Sequence, residues 1–317
     1  MGKAFEPLRG WTARFTGAGH ILGAASLLLE VGGKRILFSG DLGRPDDLLM
    51  KPPEHAPAAD VIVIESTYGD REHVQTTTNF EDAINQTVAR GGSVLIPAFA
   101  VDRTEIILIQ LRELMENGVI PRVPIFADSP MALKALSFYR KAINEDSPEI
   151  RDEIVELWKD KDPFDSGTLV ELPSVEESKT INNPKSPCII ISASGMATGG
   201  RVVHHLRDML PKEKHTIMLV GFQAMGTRGR RLVEGEQEVK MHGEMVPVRA
   251  QIEQIESFSV HADADELIEW FKTASEAPKQ VFVVHGEAGA ADVFSNRIKQ
   301  QLGWNSHAPF DGEAVQL

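Results

Sequence analysis

The chain has 317 residues, with 33 Lys or Arg against 46 Asp or Glu, a formal net charge of −13. Its 42 % hydrophobic and 25 % charged residues are globular proportions, which exclude a disordered tail, a coiled coil and a collagen-like chain. A single cysteine, Cys188, excludes a disulfide framework within the chain and a cysteine-based zinc finger, and it fits a reducing compartment. At about 150 residues per domain the length suggests two domains, or one domain with a large insertion. Met1–Trp11 lacks the apolar stretch of a signal peptide, and runs such as Val61–Ile64 and Cys188–Ile191 are too short to span a bilayer. A cytoplasmic protein without a membrane partner is therefore expected. The acidic balance argues against a general nucleic-acid coat but allows a local basic cleft.

In chain order, residues 26–39 read as a hairpin around Gly32-Gly33, and Val61–Glu65 as a buried strand after a Pro-rich loop. From residue 78 helices and strands alternate. Helices are predicted over Asn79–Arg90, Asp102–Glu116, Met131–Ile143, Pro148–Lys159 and Gly200–Leu210. Strands are predicted over Ser93–Pro97, Val123–Ala127, Cys188–Ser192 and Thr216–Phe222. That alternation implies a parallel sheet with helical crossovers, so residues 78–250 look like one α/β unit. A helix near Ala264–Ala274, a strand over Gln280–Val284, a helix near Ala290–Leu302 and a closing strand over Ala308–Leu317 complete the reading.

Chemistry-bearing residues recur where apolar strands end: Asp41 in SGDLG, Glu65 after VIVI, Ser192 and Ser194 in CIIISAS, and His285 in QVFVVH. Ligands gather at the carboxyl ends of strands in open α/β sheets, because loops and helix N-termini converge there. His20 precedes the first strand of the hairpin and Asp41 follows its second. Antiparallel pairing brings these two to one edge as candidate metal ligands, and imidazole with carboxylate suits Zn²⁺ or a similar ion.

The segments GAGHILGAAS, FSGDLGR, IESTYGDR, IPAFAVDRTE, SASGMATGGR, FSVHAD and VVHGE, in that order from residue 14 to the end, strongly resemble the β-CASP nucleases of the metallo-β-lactamase fold. The resemblance implies an α/β fold in which the C-terminal part of an αββα metallo-β-lactamase domain is interrupted by a parallel-sheet β-CASP domain. Residues 1–78 would form the first metallo-β-lactamase segment, 79–253 the β-CASP domain, and 254–317 the closing, RNA-specificity segment, with RNA held in a cleft between the domains. It implies a zinc-dependent ribonuclease of RNA processing or decay, using two zinc ions and acting mainly on single-stranded RNA. His20, Asp41 and His285 would be metal ligands, Asp41 bridging both ions. Asp41, Glu65 and His261 would be catalytic, with Glu65 orienting the His261 ring to hold a phosphate oxygen or protonate the leaving oxygen. A 5′-phosphate and a 3′-hydroxyl are the implied product ends.

The same positions have structural readings: His20 as a core histidine, Asp41 as a turn residue, Glu65 as a cap or salt-bridge acid. For phosphate, Ser192, Ser194, Gly199 and Gly200 run from a strand into a helix, and Arg228, Arg230 and Arg231 form a basic cluster in GTRGRR. That cluster also reads as a solvated loop. His204 and His205 read as structural or surface residues, Met196, Met209, Met218 and Met225 as core filling, and Cys188 as a small buried hydrophobe. His55, His73, His215, His242 and His307 have no evident partners.

None of the ten histidines lies in the H-x-H-x-D-H motif that supplies most zinc ligands of the metallo-β-lactamase fold. The chain is therefore expected to be an N-terminally truncated, impaired form. Its zinc shell would be open, and its exposed sheet edges would favour pairing with another chain, a homodimer included. Two other readings stand beside this one: a non-catalytic RNA-binding or scaffold subunit of the family, and a DNA-directed β-CASP nuclease.

Overall fold

Residues 2–73, 78–255 and 258–316 are described by the computed structural model. The chain divides into two compact units: Met1–His73, Pro148–Arg151 and Val260–Leu317 form unit 1, and Val74–Ser147 with Asp152–Ser259 form unit 2. Unit 1 starts with the strands β1 (Phe5–Leu8), β2 (Trp11–Gly17), β3 (Ala25–Val31), β4 (Lys34–Phe38) and β5 (Val61–Ile64). Unit 2 runs through α1 (Thr78–Ala89), β6 (Val94–Pro97), α2 (Arg103–Glu116), β7 (Ile125–Ala127), α3 (Pro130–Asn144), α4 (Asp152–Trp158), β8 (Leu169–Glu171) and α5 (Val175–Thr180). It continues with β9 (Ile189–Ser192), α6 (Val202–Met209), β10 (Thr216–Val220), α7 (Arg228–Val233), β11 (Glu238–Met241), β12 (Glu244–Pro247) and β13 (Gln251–Ile255). The chain returns to unit 1 with α8 (Ala264–Lys272), β14 (Gln280–Val283), α9 (Ala288–Leu302) and β15 (Ser306–His307).

Unit 1 is built on a seven-stranded sheet ordered β1-β2-β3-β4-β5-β14-β15. The predicted hairpin is there as β3 and β4, with Val31 paired to Lys34 across Gly32-Gly33. Both glycines have positive φ, 57° and 76°, as a two-residue turn between twisted strands demands. Alternation along the strands sorts the two faces. Leu28, Leu37, Ile62, Ile64, Val281 and Val283 point to one side, where Leu267 and Phe271 of α8 and Phe294 and Ile298 of α9 close a core. On the other side a row runs across the sheet in register from Phe15 to Leu27, Phe38, Val63 and Phe282. There Phe15 stays 41 % and Phe38 39 % exposed, and Phe5 stacks on Phe15 at 5.7 Å.

Unit 2 carries a six-stranded parallel sheet ordered β13-β10-β6-β9-β7-β8, with a separate β11-β12 hairpin. The sheet is parallel, as the alternation predicted, and β6, β7, β9 and β10 are the predicted strands; β8 and β13 were not read from the sequence. Its central strands β6, β9 and β10 are buried throughout, as parallel strands covered on both faces are. Among the described residues no helix is long and apolar enough to cross a membrane.

Three sequence expectations need correction. The closing strand over Ala308–Leu317 is absent among the described residues 308–316: pairing with β14 falls to Ser306 and His307, and Leu317 lies outside the described residues. Pro309 and Gly312 suit that segment poorly to a strand. The helix expected over Pro148–Lys159 begins only at Asp152, because Pro148–Arg151 joins unit 1: Lys51 N–H donates to the Glu149 carbonyl at 2.8 Å and Arg151 N–H to that of Leu49 at 2.9 Å. Met209 and Met218 are core residues as expected, but Met225 is 75 % exposed.

His215 shows how burial sets a titration in unit 2. The Ser93 N–H donates to its Nδ1 at 3.0 Å, so the neutral ring carries its proton on Nε2, which is buried without a hydrogen-bond partner among the described residues. Burial first, then Lys214 and Lys212, lower its pKa from 6.5 to about 4. Between those values the unfolded chain takes up a proton that the folded chain refuses. The contribution is intact above pH 6.5 and is lost as pH falls toward 4, about 3 kcal/mol in all at 1.36 kcal/mol per unit. Fully buried Glu105 titrates with the opposite sign: burial and then Asp102 raise its pKa well above the carboxylate range, so its contribution falls as pH rises. The difference between variants is therefore the readout. His215→Asn, whose Oδ1 can accept the same N–H, should make the pH 7-to-5 loss in urea-unfolding stability smaller than in wild type, the share due to His20 remaining. An unchanged slope would contradict this reading.

Candidate functional site

Three connections of unit 1 meet beside the ends of β4, β5 and β14: residues 18–24, residues 39–44 and the segment from 260 into α8. Gly43 locks the first two together. Its N–H donates to the Ala18 carbonyl at 2.9 Å, and a Cβ there would lie 1.8 Å from the Gly19 oxygen, so only glycine fits. Gly43 also forms an antiparallel bridge with His261, and the Ala262 N–H donates to the Leu42 carbonyl at 2.8 Å. Asp263 then starts α8 with a capping box shared with Glu266.

This knitting gathers His20, Asp41, Glu65, His261 and His285. One ligand atom from each of His20, Asp41 and His261 lies within 4.8 Å of the others, and so do those of Asp41, Glu65 and His285. His285 Nδ1 stands 3.1 Å from Asp41 Oδ1, and the His20 and His261 rings are 4.3 Å apart. His20 and Asp41 share an edge, as the hairpin geometry predicted.

Backbone groups dictate how these rings present themselves. His20 Nδ1 lies 3.2 Å from the Val260 carbonyl, an acceptor only, so Nδ1 carries the hydrogen and Nε2 keeps its lone pair. Burial first, then the charge of His261, lower the His20 pKa to about 4, which keeps the ring neutral as a metal ligand must be. Glu65 is buried and accepts the Leu42 N–H at 2.7 Å, while His261 Nδ1 stands 3.3 Å away. Burial pushes the Glu65 carboxyl up, but His261, Thr67 and the Leu42 N–H outweigh it and hold its pKa below the ordinary value. An ionised Glu65 thus holds His261 Nδ1–H and leaves Nε2 outside that contact. Sequence reasoning missed Thr67, whose hydroxyl donates to the His285 carbonyl at 3.3 Å, and the Val260 carbonyl, which no side-chain motif announces.

The donor types fit zinc, imidazole and carboxylate: with Glu65 and His261 engaged with each other, His20 and Asp41 remain in one cluster and Asp41 and His285 in the other. A third cluster, His73, Asp263 and Glu266, has its atoms spoken for. Asp263 accepts the Asp265, Glu266 and His73 N–H groups, Glu266 accepts the Asp263 N–H, and His73 Nε2 lies 3.0 Å from the His261 carbonyl. Arg44 beside Glu266 opposes a cation there.

In unit 2, residues 193–200 link β9 to α6. Ser194 Oγ accepts the Thr198 N–H at 3.1 Å and lies 3.2 Å from the Thr198 hydroxyl. Gly199 and Gly200 lead into α6, and Ser192 is buried with its hydroxyl donating to the Asp128 carbonyl at 2.9 Å. The three arginines lie on or at the start of α7, and each is engaged. Arg228 donates to the Ala197 carbonyl and to the Lys240 carbonyl, Arg230 pairs with Glu234, and Arg231 pairs with Glu236. Arg228 therefore braces the loop. Gln223 does so from another side, donating to the Gly195 carbonyl at 3.2 Å.

Sequence reasoning also missed Asp128, the residue after β7. Its fully buried carboxylate accepts from Arg201 at 2.7 Å and from Ser178 at 2.6 Å, and His205 Nε2 lies 2.6 Å away. His205 is thus structural, whereas His204 is exposed and stacks on His242 at 4.7 Å. His307, unassigned in sequence, lies 2.8 Å from Glu313.

Residues 104–232 match the Beta-Casp domain, and residues 245–309 match the Zn-dependent metallo-hydrolase RNA specificity domain. The chain is 35 % identical to a protein named Ribonuclease TTHA0252 from Thermus thermophilus over 276 residues, which is 86 % of this chain and 62 % of that protein. It is 34 % identical to the RNase J-like protein of Methanocaldococcus jannaschii over 310 residues, 96 % of this chain and 70 % of that one. With the transcription termination factor FttA of Methanothermobacter thermautotrophicus it shares 32 % identity over 95 % of this chain and 49 % of the relative. The chain thus spans about half to two thirds of the length of these relatives.

Proposed function

The chain belongs to the β-CASP metallo-β-lactamase family, and from that premise we propose that it serves the zinc-dependent hydrolysis of phosphodiester bonds in single-stranded RNA, in the cytoplasm. The observation that carries the proposal is the convergence of His20, Asp41, Glu65, His261 and His285, drawn from five separate stretches of sequence. His20, Asp41 and His285 would hold zinc, with Asp41 common to both donor clusters and so placed to touch two ions. Zinc bound there supplies Lewis acidity and a nucleophile at neutral pH.

The chain's own groups do the rest. Val260 fixes the His20 tautomer. Glu65 holds His261 so that its Nε2 meets a phosphate oxygen or delivers a proton to the leaving oxygen, which gives a 5′-phosphate and a 3′-hydroxyl. In unit 2, Ser194, Thr198 and the backbone at Gly199 and Gly200 would hold a phosphate of the strand, with Arg228 bracing them. The pairing of Arg230 and Arg231 with glutamates lowers their net pull on the backbone.

Labelled single-stranded RNA incubated with the chain and zinc should be cut, the cutting should stop with chelator, and a matched DNA should be cut less. RNA bound without turnover at saturating zinc would point to the scaffold reading, and preference for DNA to the DNA-directed one.

A further inference from the structure

His20 sits in the turn of residues 18–24 between β2 and β3, and the two limbs of that turn are held differently. The outgoing limb is packed: a Cβ on Gly19 would stand 2.5 Å from the Lys51 carbonyl oxygen. The returning limb is open. A Cβ on Gly23 would meet nothing within 4 Å, and a cavity of about 310 Å³ borders Ala24, with Pro52, Pro148 and Glu149 among its other walls. Packing therefore gives this limb little support. What reaches it is a charge-assisted hydrogen bond: the Gly23 N–H donates to the Glu149 carboxylate at 2.6 Å. The Ala24 N–H donates to the Ile21 carbonyl at 2.9 Å, and the Ala18 N–H to that of Ala24 at 3.1 Å. The placement of residues 23 and 24 is thus passed to the residue next to His20 and to the start of the turn.

Glu149 can hold that limb because its own backbone is clamped. Met50 bridges antiparallel to Ile150, which is fully buried, and the Arg151 guanidinium donates to the Pro45 carbonyl at 2.5 Å and to the Asp47 carbonyl. Pro148–Arg151 belongs to unit 1, although the chain before and after it builds α3 and α4 of unit 2. We propose that Glu149 is a positioning residue for the zinc centre: by holding the Gly23 N–H it fixes the turn that presents His20, and with it the affinity for the metal. The assignment rests on the zinc reading above. The bond is exposed to solvent, so its loss costs the fold little, whereas the site loses the placement of a donor.

The test is zinc titration of the full chain by calorimetry at pH 7, with three variants that separate reach from charge. Glu149→Ala, and Glu149→Asp, which keeps the charge on a shorter side chain, should weaken zinc binding by about 5-fold or more. Glu149→Gln carries no charge but can still accept the Gly23 N–H, and it should stay within about 2-fold of wild type. In metal-free protein, the ring proton that His20 Nδ1 donates to the Val260 carbonyl should be visible by NMR in wild type and Glu149→Gln, and should be lost to exchange in the other two. Where Glu149→Ala does not fold, the aspartate and glutamine variants decide the comparison. Zinc binding by Glu149→Asp equal to wild type, or a Glu149→Gln weakened as much as Glu149→Asp, refutes the positioning role while the zinc reading stands. A wild type without saturable zinc binding removes the zinc reading and the positioning role with it.

Discussion

Replacing Asp128 with alanine should cost unit 2 about 3–5 kcal/mol, the range for removing one partner from a buried, hydrogen-bonded charge pair. The carboxylate is fully buried and is shared by three groups from two elements: Ser178 on α5, Arg201 at the start of α6, and His205 within α6. Alanine would remove the carboxylate that Arg201 and His205 share. Arg201 would keep the Leu172 and Pro173 carbonyls, but the fully buried His205 would lose its Nε2 partner. Burial pushes the Asp128 carboxyl up, and His205, Ser178 and Arg201 outweigh it, so its pKa sits below the ordinary value. Its contribution is therefore present at neutral pH and fades only in acid, below the pKa of an unfolded aspartate. Urea unfolding of Asp128→Ala and Asp128→Asn at pH 7 checks this. The asparagine variant should lose less, because its Oδ1 still accepts from Arg201. A loss under about 1 kcal/mol for alanine would mean that these contacts do not carry the weight assigned to them.

Asp41→Ala should abolish zinc-dependent RNA cleavage while barely moving stability. Changing a residue that only orients a metal ligand typically costs about 10- to 100-fold, and Asp41 belongs to both donor clusters, so a loss beyond about 100-fold is expected. Its side chain is 39 % exposed and, among the described residues, forms an ion pair with the 60 % exposed His285, of the kind worth about 0–1 kcal/mol. Activity and stability should therefore separate at this position. At Asp128 they should fall together, since the 193–200 loop runs into the helix that Asp128 secures. Steady-state cleavage of a labelled RNA alongside urea unfolding reads both quantities. Retention of more than a tenth of the activity by Asp41→Ala would remove this carboxylate from the reaction.

The candidate centre was legible in sequence because its residues stop apolar strands. Asp41, Glu65 and His285 each follow an apolar run, His20 was placed by hairpin geometry together with the family resemblance, and His261 by the resemblance. Asp128 obeys the same rule after Ile125–Ala127 and was passed over, because one aspartate at a strand end does not distinguish a structural hub from a ligand. The Val260 carbonyl that sets the His20 tautomer lies 240 residues away in sequence and has no side-chain signal at all. Strands β1 and β2 escaped notice because neither shows a clear alternation: Phe5–Leu8, the edge strand, is exposed throughout, and in β2, paired on both sides, Trp11, Thr12, Arg14 and Phe15 are exposed around the buried Ala13. The β11–β12 hairpin turns on His242-Gly243, with His242 at φ 48°, a position where asparagine or aspartate would have announced the turn. GTRGRR read as a charged patch, whereas contacts place its arginines as braces and paired charges of a short helix, which charge counting cannot reveal.

The central claim is that the edge residues of unit 1 form a zinc centre, and zinc titration of the 317-residue chain by calorimetry at pH 7 tests it most directly. The account predicts saturable binding by wild type that is weakened at least about 10-fold in both His20→Ala and Asp41→Ala, with unfolding midpoints unchanged in the absence of zinc for Asp41→Ala. Isotherms of the two variants that overlay the wild type would contradict it, because zinc would then sit elsewhere and the gathering of these five residues would have another cause.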